Sequence, residues 1–139
     1  GRPDEHVGSD LQRVAAERTI AELTSEGRRV VVIEPLPLTG GQDPTLCLSG
    51  AVRFSDCAFV ASPGGRPAES VYRYLDQTSE QVWSLDIDRL VCPELPVCLP
   101  VVDGHVVRRD RHHLTGAFAR ELAGEVGRLF DELGVLDGL

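Results

Sequence analysis

The sequence predicts an α/β fold in which helices cover a mainly parallel β-sheet. An amphipathic helix is followed by Gly27 and then by the unbroken β-branched run Val30–Ile33. Such a run is typical of a strand that is covered on both faces, as in a parallel sheet. Residues 82–86 alternate between apolar and polar side chains, which indicates a second strand, and an apolar stripe near the C-terminus predicts a long final helix.

The first helix is predicted to begin at a capping box, in which Ser9 caps the helix and Gln12 reaches back to it. Its apolar positions recur at helical spacing, and a glycine ends it: Ala16, Ile20, Leu23 and Gly27. The helix and the strand after it form half of a βαβ unit. We therefore expect the first strand of that unit to lie outside this sequence.

The middle of the chain is predicted to be less regular. Residues 39–67 are rich in Gly, Pro and Ser and indicate a long loop, and a short helix is predicted over 68–76. Asp103-Gly104 stands between two apolar pairs and predicts a type I′ β-hairpin. The final helix is indicated by apolar residues spaced by three or four, followed by Gly134: Leu114, Phe118, Leu122, Val126, Leu129 and Leu133.

Composition excludes several classes of function. The chain has 139 residues, a size that fits a single domain over residues 1–139. Its 22 acidic and 14 basic residues give a net charge of −8, which argues against nucleic acid and anionic membranes as main partners. No apolar run approaches the roughly 20 residues that a membrane-spanning helix needs.

The four cysteines indicate the compartment. Cys47 and Cys57 are ten positions apart and Cys92 and Cys98 six apart, so the spacing favours two local disulfides, Cys47–Cys57 and Cys92–Cys98. Disulfides persist in oxidising compartments, which predicts an extracytoplasmic location. The alternatives are a zinc site, although neither spacing is that of a zinc knuckle, and free thiols.

The residues best suited to catalysis are Asp110 and His113, three positions apart just before the final helix. On one helical turn this spacing places both side chains on the same face. The carboxylate would then fix the imidazole tautomer, and the imidazole would act as general base and acid in acyl transfer. The alternative is a solvated helix start, where Asp110 interacts favourably with the positive end of the helix dipole.

The order of motifs resembles the SGNH hydrolase superfamily, and in particular the SGNH domains fused to membrane acyltransferases of the acyltransferase-3 group. The resemblance starts at about residue 9. It includes the first helix and strand with Glu34-Pro35-Leu36-Pro37, then Asp43-Pro44 with Cys47-Leu48, Cys92-Pro93 through Cys98, Pro100 to Gly104, and Asp110 to Thr115.

This resemblance implies a function and a location. Asp110 would be the orienting acid and His113 the base of an O-acyltransferase or esterase that needs no cofactor. Its substrates would be an acyl donor and an envelope glycan or glycolipid acceptor. The domain would lie in the periplasm or on the cell surface, tethered to a membrane acyltransferase domain upstream.

Two elements of the superfamily pattern are absent from the sequence. The superfamily nucleophile is a Ser in a Gly-Asp-Ser motif, whereas Gly8-Ser9-Asp10 has a different order, and the chain contains no Asn for an oxyanion hole. We therefore expect the C-terminal portion of an SGNH-like domain that is inactive alone, with the nucleophile on an N-terminal segment or a separate chain. The alternative is a degenerate, non-catalytic module that binds an envelope glycan or a partner chain.

The remaining candidates surround the acid–base pair. Arg108, Arg109 and Arg111 form a positive patch in the sequence, which is either a solvated edge or a region that attracts an anionic substrate through Arg109 and Arg111. His112 is expected to be exposed to solvent or to contact the substrate at the rim of the site. No metal is expected. A metal site that uses His105, His112 and Asp110 is an alternative, but the chain lacks the i, i+4 histidine pair of helical zinc sites.

Overall fold

The structure is a computed structural model that describes residues 3–62 and 67–138, with side chains described for 10–62 and 68–138. The chain forms two compact units, which are described separately. The first comprises residues 3–35 and 67–86, and the second comprises residues 36–62 and 87–138.

Helices and short strands alternate along the chain. The helices are α1 (Pro3–Thr24), α2 (Pro44–Leu48), α3 (Pro67–Thr78), α4 (Asp88–Val91) and α5 (Gly116–Glu132), with a short 3-10 helix at Phe54–Cys57. The strands are β1 (Val30–Ile33), β2 (Phe59–Val60), β3 (Val82–Leu85), β4 (Val97–Cys98), β5 (Val101–Val102) and β6 (His105–Val106).

The first unit contains the parallel pair that the sequence predicted. Strands β1 and β3 run parallel, from Val30 opposite Val82 to Ile33 opposite Leu85, and α1 and α3 pack in the same unit. The α/β class is therefore confirmed. The predicted capping box is wrong, because α1 begins at Pro3 and Ser9 lies inside the helix; the Ser9 side chain lies outside the described side chains.

Strand β1 is less covered than its sequence predicted. Val82 and Leu85 of β3 are buried, but the residues of β1 are half-buried and Ile33 is 50% exposed. Among the described residues β1 pairs with β3 alone, which leaves its other edge without a hydrogen-bonded strand. The β-branched run thus identified the strand correctly but overestimated its burial.

A buried carboxylate that forms an ion pair with a half-exposed arginine follows β1. Glu34 is 4% exposed, and both of its carboxylate oxygens accept hydrogen bonds from Arg73 of α3, with Nε lying 2.9 Å from Oε1. The hydroxyl of Ser84 donates to the same carboxylate at 2.7 Å. These hydrogen bonds, that of Arg73 first, hold the pKa of Glu34 below its ordinary value although burial opposes them.

The second unit contains more regular structure than the predicted loop over 39–67. Asp43 accepts hydrogen bonds from the N–H groups of Thr45 and Leu46, and Pro44 begins α2. Strand β2 then pairs antiparallel with β4. An acidic residue followed by proline is a known signal for a helix start, so α2 could have been found from the sequence.

Both disulfides that the spacing favoured are present. Cys47–Cys57 joins α2 to the 3-10 helix with a Cα–Cα distance of 5.7 Å, and Cys92–Cys98 joins the end of α4 to β4 at 4.9 Å. The described chain has no free cysteine. The alternatives of a zinc site on these cysteines and of free thiols are therefore wrong.

The hairpin and the final helix are confirmed, with one shift in position. Asp103 and Gly104 both have positive φ, 47° and 79°, as a type I′ turn requires. Helix α5 begins at Gly116 rather than at Leu114, because Leu114 pairs with Arg108 in an isolated β-bridge and Thr115 caps the helix. No described helix combines the length and the apolar composition needed to cross a bilayer.

We predict that Glu34→Gln lowers the free energy of unfolding at neutral pH by about 1–2 kcal/mol, because Arg73 loses its charged acceptor. The pKa of Glu34 is lowered in the folded state, so its stabilisation is present above the unfolded carboxyl value of about 4.3. It is lost as the pH falls through the folded-state pKa. Denaturant unfolding at about pH 7 and about pH 3 measures both effects.

The matched control is Glu22→Gln, which changes an exposed carboxylate on α1 with no ion pair in the described chain. This variant should unfold like the parent protein at both pH values. Equal stability of Glu34→Gln and the parent at neutral pH would contradict the assigned role of the Glu34–Arg73 pair.

Candidate active site

The segment that carries Asp110 and His113 is a loop rather than a helical turn. Its two ends are joined by the β-bridge between Arg108 and Leu114 and by a hydrogen bond from the Arg109 N–H to the His113 carbonyl at 3.0 Å. The prediction that both residues lie on the first turn of the final helix is therefore wrong. So is the alternative that Asp110 lies at a helix N-terminus, because the helix starts six residues later.

The carboxylate of Asp110 organises this loop. Its Oδ1 accepts hydrogen bonds from the backbone N–H groups of His112 at 2.7 Å and His113 at 2.8 Å. The same carboxylate contacts Nδ1 of the His113 ring, at 2.9 Å from Oδ1 and 2.8 Å from Oδ2. These bonds, that from the His112 N–H first, hold the pKa of Asp110 well below its usual range, so it is ionised at all ordinary pH values.

The imidazole of His113 is accessible from solvent. Its side chain is 62% exposed, and its Nε2 forms no hydrogen bond with any described residue. Because Nδ1 faces an ionised carboxylate, the neutral ring carries its proton on Nδ1 and leaves the Nε2 lone pair available. This is the orientation that a general base requires, and it is reached without the helical geometry that the sequence predicted.

The buried guanidinium of Arg108 forms hydrogen bonds that stabilise the loop. Arg108 is 2% exposed; its Nη1 donates to the Arg111 carbonyl at 3.1 Å, and its Nη2 donates to the Pro37 carbonyl at 2.7 Å. The guanidinium carbon also lies 5.5 Å from the centre of the Phe59 ring. Arg108 is therefore a structural residue and does not belong to the exposed patch in which the sequence placed it. No sequence signal separates it from Arg109 and Arg111.

The other predicted contacts divide into two groups. Arg109 is exposed, and its Nε lies 3.6 Å from Oδ2 of Asp110, next to the Asp110–His113 pair. Arg111 and His112 are also exposed, and both line a pocket of about 220 Å3. The His112 and His113 rings are edge-on, with centroids 6.5 Å apart.

The metal site considered as an alternative is not formed in the described part of the chain. His105 pairs with Glu121 of α5 at 3.7 Å and contacts the Asp103 carbonyl through Nδ1. No three side chains of the metal-ligating types His, Cys, Asp and Glu come together among the described residues.

The described residues also do not present a serine or threonine hydroxyl to His113, since the ring bonds only to Asp110. The sequence likewise contains no Gly-Asp-Ser motif and no Asn. The described residues therefore show an Asp–His contact with no hydroxyl nucleophile beside the imidazole.

Comparison with known proteins identifies the family. The family model described as SGNH domain (fused to AT3 domains) matches residues 2–128, about nine-tenths of the chain, and the match includes the whole loop with Asp110 and His113. No curated protein and no solved structure matches the chain.

We predict that Arg108→Met lowers the free energy of unfolding by about 1–3 kcal/mol, because the carbonyls of Pro37 and Arg111 lose their donor inside the protein. Arg109→Met, which changes the exposed neighbour, should have a much smaller effect. Thermal and denaturant unfolding of the two variants measure the difference. Equal loss of stability in both would show that the buried guanidinium does not support the loop.

Proposed function

The chain belongs to the family of SGNH domains fused to AT3 domains, and we propose that it acts in acyl transfer on cell-envelope glycans or glycolipids, as an O-acyltransferase or esterase. The observation that carries the proposal is the contact between the Asp110 carboxylate and Nδ1 of His113, together with the exposure of the imidazole. An oriented imidazole with an accessible Nε2 is the central group of serine-dependent acyl transfer.

In the first half-reaction, a serine oxygen bonds to the carbonyl carbon of the acyl donor and its proton moves to Nε2 of His113. The tetrahedral intermediate then expels the donor alcohol, which takes that proton from His113. In the second half-reaction, an acceptor hydroxyl or water gives its proton to Nε2 and attacks the acyl-serine, and the serine oxygen is reprotonated. Asp110 stays ionised throughout and stabilises the transient imidazolium.

The serine and the oxyanion-binding groups belong, in this proposal, to a segment outside these 139 residues or to a separate chain. The absence of Gly-Asp-Ser and of Asn from the sequence supports this assignment. An Asp–His pair without a nucleophile has little of the transition-state stabilisation that acyl transfer needs, so the isolated chain would be inactive.

We further propose that residues 1–139 belong to one extracytoplasmic domain. The two disulfides support an oxidising compartment, and the family supports a membrane acyltransferase domain as the partner that passes acyl groups to it. Such a domain would be tethered to the membrane by a segment outside this sequence.

We expect His113→Gln in the full-length protein to reduce acyl transfer to a sugar acceptor by about 10²- to 10⁴-fold, because the proton acceptor is lost. Asp110→Asn should also reduce the rate strongly, because its amide no longer holds the productive tautomer of His113. Release of p-nitrophenol from p-nitrophenyl acetate, with and without acceptor, measures both half-reactions. The control is His105→Gln, an imidazole of the hairpin that is not part of the proposed machinery.

A non-catalytic binding module is the second candidate function, and the same absence of Gly-Asp-Ser and Asn favours it. Under this alternative the His113→Gln protein keeps the full biological activity of the parent. Unchanged acyl transfer in His113→Gln would therefore reject the catalytic proposal in favour of the binding module.

A further inference from the structure

A pocket beside the His113 loop has an arginine, a histidine and no carboxylate among its described lining residues. Its volume is about 220 Å3, and its lining residues all belong to the second unit: Leu38, Thr39, Gly40, Gly41, Ser62, Arg111 and His112. The protein as a whole carries 22 acidic residues and a net charge of −8. The described lining of this pocket is thus opposite in charge to the average surface of this chain.

Two of the lining residues, Gly40 and Gly41, form a tight turn. The Gln42 N–H donates to the Thr39 carbonyl at 3.2 Å and closes this turn, and the two residues between them, Gly40 and Gly41, have φ values of +64° and +91°. Their own N–H groups form no hydrogen bond with any described residue. Successive free amides in such turns form concave sites for anions, and the positive φ values explain why both residues are glycine.

The backbones of Arg111 and His112 are held in place by hydrogen bonds within the loop. The Arg111 carbonyl accepts a hydrogen bond from the buried Arg108, and the His112 N–H donates to Asp110. The guanidinium of Arg111 forms no ion pair with any described residue, unlike Arg109, which lies near the Asp110 carboxylate. In the part of the chain that the structure describes, no carboxylate therefore neutralises the charge of Arg111, a residue that lines the pocket.

We propose that this pocket binds the anionic group of the acyl acceptor, a carboxylate or phosphate carried by an envelope sugar, through Arg111, His112 and the amides of Gly40 and Gly41. Arginine and backbone N–H groups are the usual partners of such oxyanions. The volume lies below the roughly 300–1,000 Å3 of sites for drug-sized ligands, so one sugar unit or its acidic group fits.

The position of the pocket gives the bound group a role in the reaction. His112 lines the pocket, and the centroid of its ring lies 6.5 Å from that of the His113 ring. In this proposal, a sugar held by its acidic group in the pocket presents a neighbouring hydroxyl or ester to Nε2 of His113. This acceptor assignment rests on the proposed acyl-transfer function, whereas the binding of an anion does not.

Isothermal titration calorimetry of the full-length protein at low ionic strength tests the proposal with D-glucuronate, D-glucose 6-phosphate and neutral D-glucose. At least one anionic sugar should bind about tenfold or more tightly than glucose, because charge-assisted hydrogen bonds form with Arg111. The tighter of the two identifies the carboxylate or the phosphate as the natural group. Added salt should weaken the binding of the anionic sugars and leave the binding of glucose unchanged.

Variants assign the binding to this pocket. Arg111→Gln should remove the preference for the anionic sugar, Arg111→Lys should keep part of it, and His112→Gln should reduce it less than Arg111→Gln. The matched control is Arg120→Gln, which removes an exposed arginine of α5 that does not line the pocket. Equal affinity for all three sugars, or an unchanged preference in Arg111→Gln, overturns the proposal.

The His113→Gln variant separates this proposal from the proposed function. It should bind the anionic sugar as the parent does, while its acyl transfer falls by about 10²- to 10⁴-fold. If His113→Gln keeps acyl transfer while Arg111→Gln loses the anionic preference, the catalytic assignment fails and the anion site stands. If His113→Gln loses acyl transfer and Arg111→Gln binds all sugars like the parent, the catalytic assignment stands and the anion site fails.

Discussion

The carboxylate of Asp110 accepts hydrogen bonds from two backbone N–H groups and contacts one imidazole nitrogen, and the geometry of the candidate site depends on these contacts. The two backbone bonds close the loop, and the side-chain contact orients the ring of His113. Because one ionised group does both, the loop conformation and the imidazole orientation are coupled. The lowered pKa of Asp110 keeps this coupling intact over the ordinary pH range.

The second unit holds this loop in place with few regular elements. The Arg108 guanidinium donates to the carbonyls of Pro37 and Arg111, and the Thr45 hydroxyl donates to the Arg108 carbonyl at 3.0 Å. Long-range polar contacts and two disulfides thus stabilise this unit, whose strands are short. Each short disulfide loop removes about 2.5 kcal/mol of unfolded-state entropy on the chain-entropy model. An oxidising compartment is therefore consistent with how this unit is stabilised.

Charge distinguishes the two sides of the candidate site. On one side, Asp110 partly neutralises Arg109 and orients His113; on the other side, Arg111 and His112 line a pocket whose described residues include no carboxylate. Residues that are adjacent in the chain therefore have different electrostatic surroundings. In an acidic protein such a separation repels anions from most of the surface and attracts them to one small region. Recognition of an acceptor and proton transfer would then take place on the same loop.

The sequence by itself determined the features that depend on local chemistry: the helix before Gly27, strands β1 and β3, the Asp103-Gly104 hairpin, the stripe of α5 and the two short disulfide loops. Hydrophobic period, turn residues and cysteine spacing act over a few positions, so a single chain reveals them. The pairing of Asp110 with His113 was also predicted, though on a helix.

Tertiary structure alone decided the rest. The bridge from Arg108 to Leu114 replaces the expected helical turn. Arg108 is buried, whereas its two neighbours in the patch are exposed. Gly40 and Gly41 line the same pocket as Arg111 and His112, although some 70 positions of chain separate them. These outcomes depend on contacts between groups that are distant in the chain. Neighbouring arginines have the same local conformational propensity, so the sequence does not show which of them will be buried against carbonyl acceptors.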